Sequence, residues 1–172
     1  KPLPEESGYV EPKGLMRMLS RRMAADAVLC ADVGQNQIWS ANFFEMRDGR
    51  FLTSGGMGTM GYSIPCAVGA KSADPSKQVC AVCGDGSFQM SMMELGTICQ
   101  ERLGVKIIIM QNTHSAVYLD GSPDFVKIAA AYGIRARMVS SNTEAQEAVE
   151  EMLADDQPYL LVCHVRPDYP SL

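Results

Sequence analysis

No apolar run in the chain approaches the roughly 18 residues that a membrane-spanning helix needs, and no stretch shows the pattern of a signal peptide. The expectation is a cytoplasmic protein that touches no membrane. Basic clustering is missing as well. Lys and Arg are scattered under a formal charge of -5, which removes the electrostatic footprint of a nucleic-acid binder. Internal repeats and low-complexity tracts are absent, which excludes solenoids and disordered arrays. Nor is there a second CxxC or a Cys/His pair to complete a tetrahedral metal site. Cys80 and Cys83 form one CxxC, but inside an apolar run, where residues three apart on a strand face opposite ways. The six cysteines lie in apolar segments of a chain too large to need staples, and they read as buried, reduced thiols.

What is present is an ordinary globular composition, 47% hydrophobic and 20% charged over 172 residues, enough for one sizeable core and short for two. Residues 1–13 carry three prolines and read as a linker from a preceding domain, which makes residues 14–172 a single domain and the chain a fragment of a larger subunit. Apolar spacing predicts helices over residues 14–25, 39–44, 64–73, 89–103, 123–132 and 143–154. It predicts strands over residues 27–31, 51–53, 78–83, 105–110, 135–139 and 158–165. Such alternation implies an α/β fold, a doubly wound, mainly parallel sheet of about six strands with helices on both faces.

Two polar turns stand out against this background. Gly84-Asp85-Gly86-Ser87 ends one strand and opens a helix, and Asn112 follows the next strand. If the two strands are parallel neighbours joined by that helix, Asp85 and Asn112 emerge together at the carboxyl ends, where open α/β sheets bind ligands. Gly-Asp-Gly is most often a plain turn. Here its place between a buried strand and a helix aims the Gly86 and Ser87 amides as a phosphate cradle. A carboxylate beside a phosphate needs a cation between them, and oxygen donors from Asp85 and Asn112 suit Mg2+. Residues 55–61 hold four glycines, which suggests close approach by a ligand, the alternative being a flexible loop. His114 and His164 have no evident carboxylate partner. His114 reads as a loop residue whose backbone alone matters, and His164 as a packed or edge residue of the last strand.

These residues resemble a known family. Gly84-Asp85-Gly86 with Asn112 is similar to the thiamin diphosphate motif. Asp32-Val33-Gly34-Gln35, the run from Thr53 to Tyr62, Ile64-Pro65 and Gly121-Ser122-Pro123-Asp124-Phe125 look like the carboxyl-terminal domain of the acetolactate synthase (acetohydroxyacid synthase) large subunit. The resemblance implies that Asp85 and Asn112 coordinate Mg2+, with a backbone carbonyl near His114 as a third protein ligand. It assigns the diphosphate to Gly86, Ser87, Val33, Gly34, Gln35 and Asn36, although many members have histidine where Asn36 stands. It assigns the aminopyrimidine edge to the Gly58 carbonyl and the Met60 amide. The Met60 side chain would prop the cofactor in a bent form that brings its own imino nitrogen to the reactive carbon. Most of the other methionines fall on helix faces and read as core filling.

The implied enzyme decarboxylates pyruvate and condenses the hydroxyethyl carbanion with a second 2-keto acid, as a homodimer or homotetramer with a possible regulatory subunit. The activating glutamate belongs to the amino-terminal domain of a partner subunit and FAD to a middle domain. Neither is in this chain, so no catalytic side chain is expected here and the chain alone should not turn over. After Thr113 the family continues with a longer segment before its Asp-Gly-Ser-Pro-Asp-Phe stretch, whereas here the connection is short, either by deletion or because residues are omitted. Two alternatives remain at this level: another thiamin diphosphate-dependent 2-keto acid decarboxylase or carboligase, and a non-catalytic cofactor-binding subunit of a split enzyme.

Overall fold

The computed structural model describes residues 8–112 and 122–172. Within them six strands form one sheet: β1 (Val28–Ala31), β2 (Arg50–Thr53), β3 (Val79–Gly84), β4 (Val105–Gln111), β5 (Arg135–Val139) and β6 (Tyr159–His164). Their order is β2-β1-β3-β4-β6-β5, and all five pairings are parallel. The helices are α1 (Pro12–Arg22), α2 (Gln35–Phe43), α3 (Ser63–Ala73), α4 (Asp85–Ser91), α5 (Glu94–Gln100), α6 (Phe125–Ala131) and α7 (Asn142–Leu153).

Strands β1, β3, β4 and β6 are apolar almost throughout because helices cover both faces of the sheet. Successive side chains therefore enter two separate cores. Leu29, Cys80, Val82, Ile108 and Leu161 pack with Leu15, Leu19, Trp39, Val149 and Met152 of α1, α2 and α7. Cys30, Ala81, Cys83, Ile107 and Ile109 pack with Ile64, Phe88, Leu95, Ile98 and Phe125 of α3 to α6. Each such aliphatic side chain contributes roughly 1.5–3 kcal/mol on burial. Cys80 and Cys83 thus face opposite cores, as the strand period requires, and burial pushes both thiols up, Cys80 to about 12.

Several expectations shift. Not every cysteine is buried: Cys99 is exposed and Cys66 half-buried. Cys99 stands on the last turn of α5, in which only Leu95 and Ile98 are buried. The single helix expected over residues 89–103 is two. Leu95 and Gly96 donate their amides to the carbonyls of Met92 and Met93, only three residues back, so the coil tightens between α4 and α5. The head segment joins the body before residue 14. Val10 is buried, with its amide on the His164 carbonyl at 2.8 Å, and α1 starts at Pro12 behind the cap Glu11. No helix among the described residues is long and apolar enough to cross a membrane.

Candidate cofactor site

From β1 the chain passes to β2 on one side and then to β3 on the other, so the order reverses between β1 and β3. A crevice opens at such a point, outside the carboxyl ends of the strands. Gly84 pairs in register with Met110, which brings the residues after β3 and β4 out side by side. The resulting cavity of about 400 Å3 is lined by Val33, Gly34, Gln35 and Asn36 after β1, by Gly84, Asp85, Gly86 and Ser87 after β3, and by Met110 and Asn112 at the end of β4. Trp39, Met60 and Pro167 complete its wall.

The β1 turn depends on Gly34, whose φ of 109° lies where side chains rarely go. Asn36 is buried, and its amide nitrogen donates to the carbonyls of Asp32 at 2.8 Å and Val82 at 3.3 Å. Its side chain therefore clips β1 to β3 while lining the cavity. Gln35 reaches the other way. Its nitrogen donates to the Tyr169 carbonyl at 3.3 Å, and its oxygen accepts from the Asn112 amide nitrogen at 3.3 Å. With its nitrogen held by Gln35, Asn112 has its side-chain oxygen left to meet a cation.

On the β3 turn, Asp85 is 3% exposed, and one carboxylate oxygen accepts from the Gly86 amide at 2.9 Å. Ser87 is buried beside it. A Cβ added at Gly86 would stand 3.3 Å from the Met60 methyl carbon, so the glycine is where Met60 approaches the turn. Helices α2 and α4 begin at the cavity behind Gly34 and Gly84, and neither cap has a side chain to accept the first amides. Of the other helices, α1, α6 and α7 carry side-chain caps from Glu11, Asp124 and Ser141, whereas α3 and α5 carry none. Uncapped first turns that converge on one cavity suit an anion. The donors toward a metal are a carboxylate and a carboxamide, and no group of three His, Cys, Asp or Glu that could hold a metal exists among the described residues. A hard cation that takes its remaining oxygens from a ligand and water, such as Mg2+, fits this donor set.

Nine of the eleven residues assigned to cofactor or metal from the sequence thus meet in one cavity. Gly58, with φ of 63°, lies exposed on the glycine-rich loop and outside the lining. His114 lies outside the described residues. His164 is a packed residue at the tip of an interior strand, with Nδ1 3.1 Å from the Gly8 carbonyl oxygen and its ring 4.9 Å from that of Tyr9. Sequence reasoning missed Trp39, Met110 and Pro167. Trp39 is held by its indole N–H on the Pro170 carbonyl at 3.1 Å and by the edge of Tyr169. Its signal was available, since it follows the polar turn by one helical turn.

The sequence model of a family described as thiamine pyrophosphate enzyme, C-terminal TPP binding domain, matches residues 32–119 and 112–163. The acetolactate synthase large subunit of Porphyra purpurea is 36% identical over 95% of this chain and 30% of its own length. Isozyme 2 of the acetolactate synthase large subunit from Escherichia coli (strain K12) is 38% identical over 90% of this chain and 31% of its own length. The probable acetolactate synthase large subunit of Methanococcus aeolicus is 42% identical over 83% and 26%. The chain therefore spans about a third or less of these relatives. A solved structure, the Rhodococcus jostii RHA1 thiamine diphosphate-dependent 4-hydroxybenzoylformate decarboxylase, superposes with a TM-score of 0.81 at 24% identity over 99% of this chain and 35% of that one, a likeness of fold.

Proposed function

The chain belongs to the thiamine pyrophosphate enzymes, through their C-terminal TPP binding domain, and on that premise we propose that its cavity holds the diphosphate and Mg2+ of thiamin diphosphate in an acetolactate synthase large subunit. The observation that carries this reading is the convergence of Asp85, Asn112 and two glycine-capped helix starts on one cavity at the switch point of the sheet. Asp85 and the Asn112 oxygen hold the cation. The turn amides after Gly34 and Gly84, with Ser87, hold the diphosphate oxygens. Met60, whose methyl group already lies over Gly86, props the organic part of the cofactor. When bound, thiamin diphosphate supplies the electron sink that 2-keto acid decarboxylation requires. The chain's own contribution is geometry and charge: an oriented cation, a fixed diphosphate and an apolar wall of Trp39 and Met110 that keeps water from the anchored end.

The activating glutamate and any FAD domain lie outside this chain, and the homodimer or homotetramer would form through the full-length subunit, so we expect the chain to be inactive by itself. Restoring the full-length subunit and assaying acetolactate formation from pyruvate tests the reading. Product is expected with thiamin diphosphate and Mg2+, and none without them. No acetolactate under either condition refutes it, and analysis of products from other 2-keto acids then shows whether a different carboligase or decarboxylase is present.

A further inference from the structure

We propose that Asp32 is a positioning residue for the aminopyrimidine end of the site: its buried carboxylate moors the glycine-rich loop to the end of β1 and so sets Met60 over the diphosphate turn. This rests on the cofactor reading above. Asp32 is fully buried, although it follows the last residue of a strand that feeds a polar turn. One carboxylate oxygen accepts from the amides of Val33 at 3.1 Å and Gly61 at 3.0 Å, and the other accepts from the amide of Ser63 at 2.9 Å. Two of those three donors lie about 30 residues away, on the far side of β2.

The loop has little else to locate it. Among the described residues, the hydrogen bonds of residues 55–60 are local: Gly55 to the Thr53 carbonyl, Gly58 to the Ser54 carbonyl and Thr59 to the Ser54 hydroxyl. Residues 55–60 are all exposed, Met57 and Met60 included. Gly61 is the hinge of the mooring. Its φ of 85° turns the amide onto Asp32, and a Cβ there would meet Cβ of Met90 at 3.0 Å, so a side chain at position 61 would lift the loop off α4. Met60 is the residue immediately before this anchor, and its methyl is the nearest atom to the space above Gly86. A shift at Gly61 is therefore a shift of Met60 against the diphosphate half, where the Asp32 carboxylate meets only the amide of its chain neighbour Val33 and none of Asp85, Asn112 and Ser87.

The test separates the two halves of the ligand. In the full-length subunit, Asp32→Asn keeps one acceptor oxygen but confronts an amide with an NH2 group, and Asp32→Ala removes both acceptors. Affinities are measured for thiamin diphosphate and for inorganic diphosphate, each with Mg2+. The expected result is a loss of about tenfold or more for thiamin diphosphate, larger for Ala than for Asn, with inorganic diphosphate changed by less than about twofold. Amide exchange in the cofactor-free subunit is expected to lose protection at Gly61 and Ser63 while the β3 and β4 amides keep theirs, which also shows that the variants fold. Parallel loss of both ligands, unchanged binding of both, or exchange that rises through the central strands would overturn the proposal. A wild-type subunit that binds neither ligand refutes the cofactor reading itself, and is seen before any variant is made.

Discussion

The two ends of the sheet bury polar groups in opposite ways. At the amino ends of β3, β4 and β6, two lysines are almost wholly enclosed, and each donates to backbone carbonyls. Lys71 donates to the carbonyls of Pro75 and Lys77 and to the Asp156 carboxylate at 2.8 Å. Lys106, 2% exposed, donates to the carbonyls of Asp155 and Gln157, and the chain packs so closely there that a Cβ on Gly104 would stand 2.3 Å from the Asp156 carbonyl oxygen. At the carboxyl ends of β1, β3 and β4 the polar groups instead ring an open cavity, and the helices that start there have glycine caps. Buried charge that closes on its own backbone holds a fold together, whereas polar groups that converge on space are arranged for something that arrives. The lesson is local. The same parallel sheet produces a lock at one end and a site at the other.

The sharpest way to break the comparison is Asp85→Asn in the full-length subunit. Turnover and Mg2+-dependent cofactor affinity are expected to fall by about 100-fold, with thermal stability in the absence of cofactor nearly unchanged. A large stability loss with intact cofactor binding would place Asp85 with the lock rather than the site. Lys106→Met is the mirror image. Removing the ammonium takes away the donor to the Asp155 and Gln157 carbonyls, so the domain should lose about 1–3 kcal/mol in denaturant unfolding while each folded subunit keeps its turnover. Burial lowers the Lys106 pKa despite the attraction of Asp155 and Asp156.

A third, smaller effect concerns α7, which starts at the carboxyl end of β5 but away from the cavity. It is closed by its own side chains, with Ser141 accepting from the Glu144 amide and Glu144 accepting from the Ser140 amide at 2.8 Å. The Ser140 amide is the main reason the Glu144 carboxyl lies below its ordinary value. A depressed carboxyl stabilises the fold above its ordinary pKa, and that contribution disappears as pH falls through the lowered one. Glu144→Gln should therefore lower the melting temperature slightly at neutral pH, and the difference from wild type should vanish once the pH has fallen through the lowered carboxyl pKa. A difference that persists in acid would mean that packing, not the cap, was lost.

Much of this was legible in the residues. The strands were placed to within a residue or two because buried parallel strands are continuous apolar runs between polar turns, and β5 agrees at both ends. Asp85 and Asn112 were paired correctly because one strand-helix-strand unit leaves its two turns adjacent. The break between α4 and α5 left no mark, since both halves keep the same apolar face and neither glycine nor proline stands at Met92 and Met93.

What the sequence alone determined, then, is the local grammar: which segments are strands, which turns are polar, and which oxygen donors two neighbouring strand ends present. Tertiary structure decided the rest. Only folding brings Trp39 and Pro167 into the wall with Met110, places Met60 over Gly86, and carries the Gly61 amide to a carboxylate 29 positions earlier. Period and spacing report contacts within one or two elements, whereas these joins depend on how whole layers pack, a geometry that no short window of residues contains.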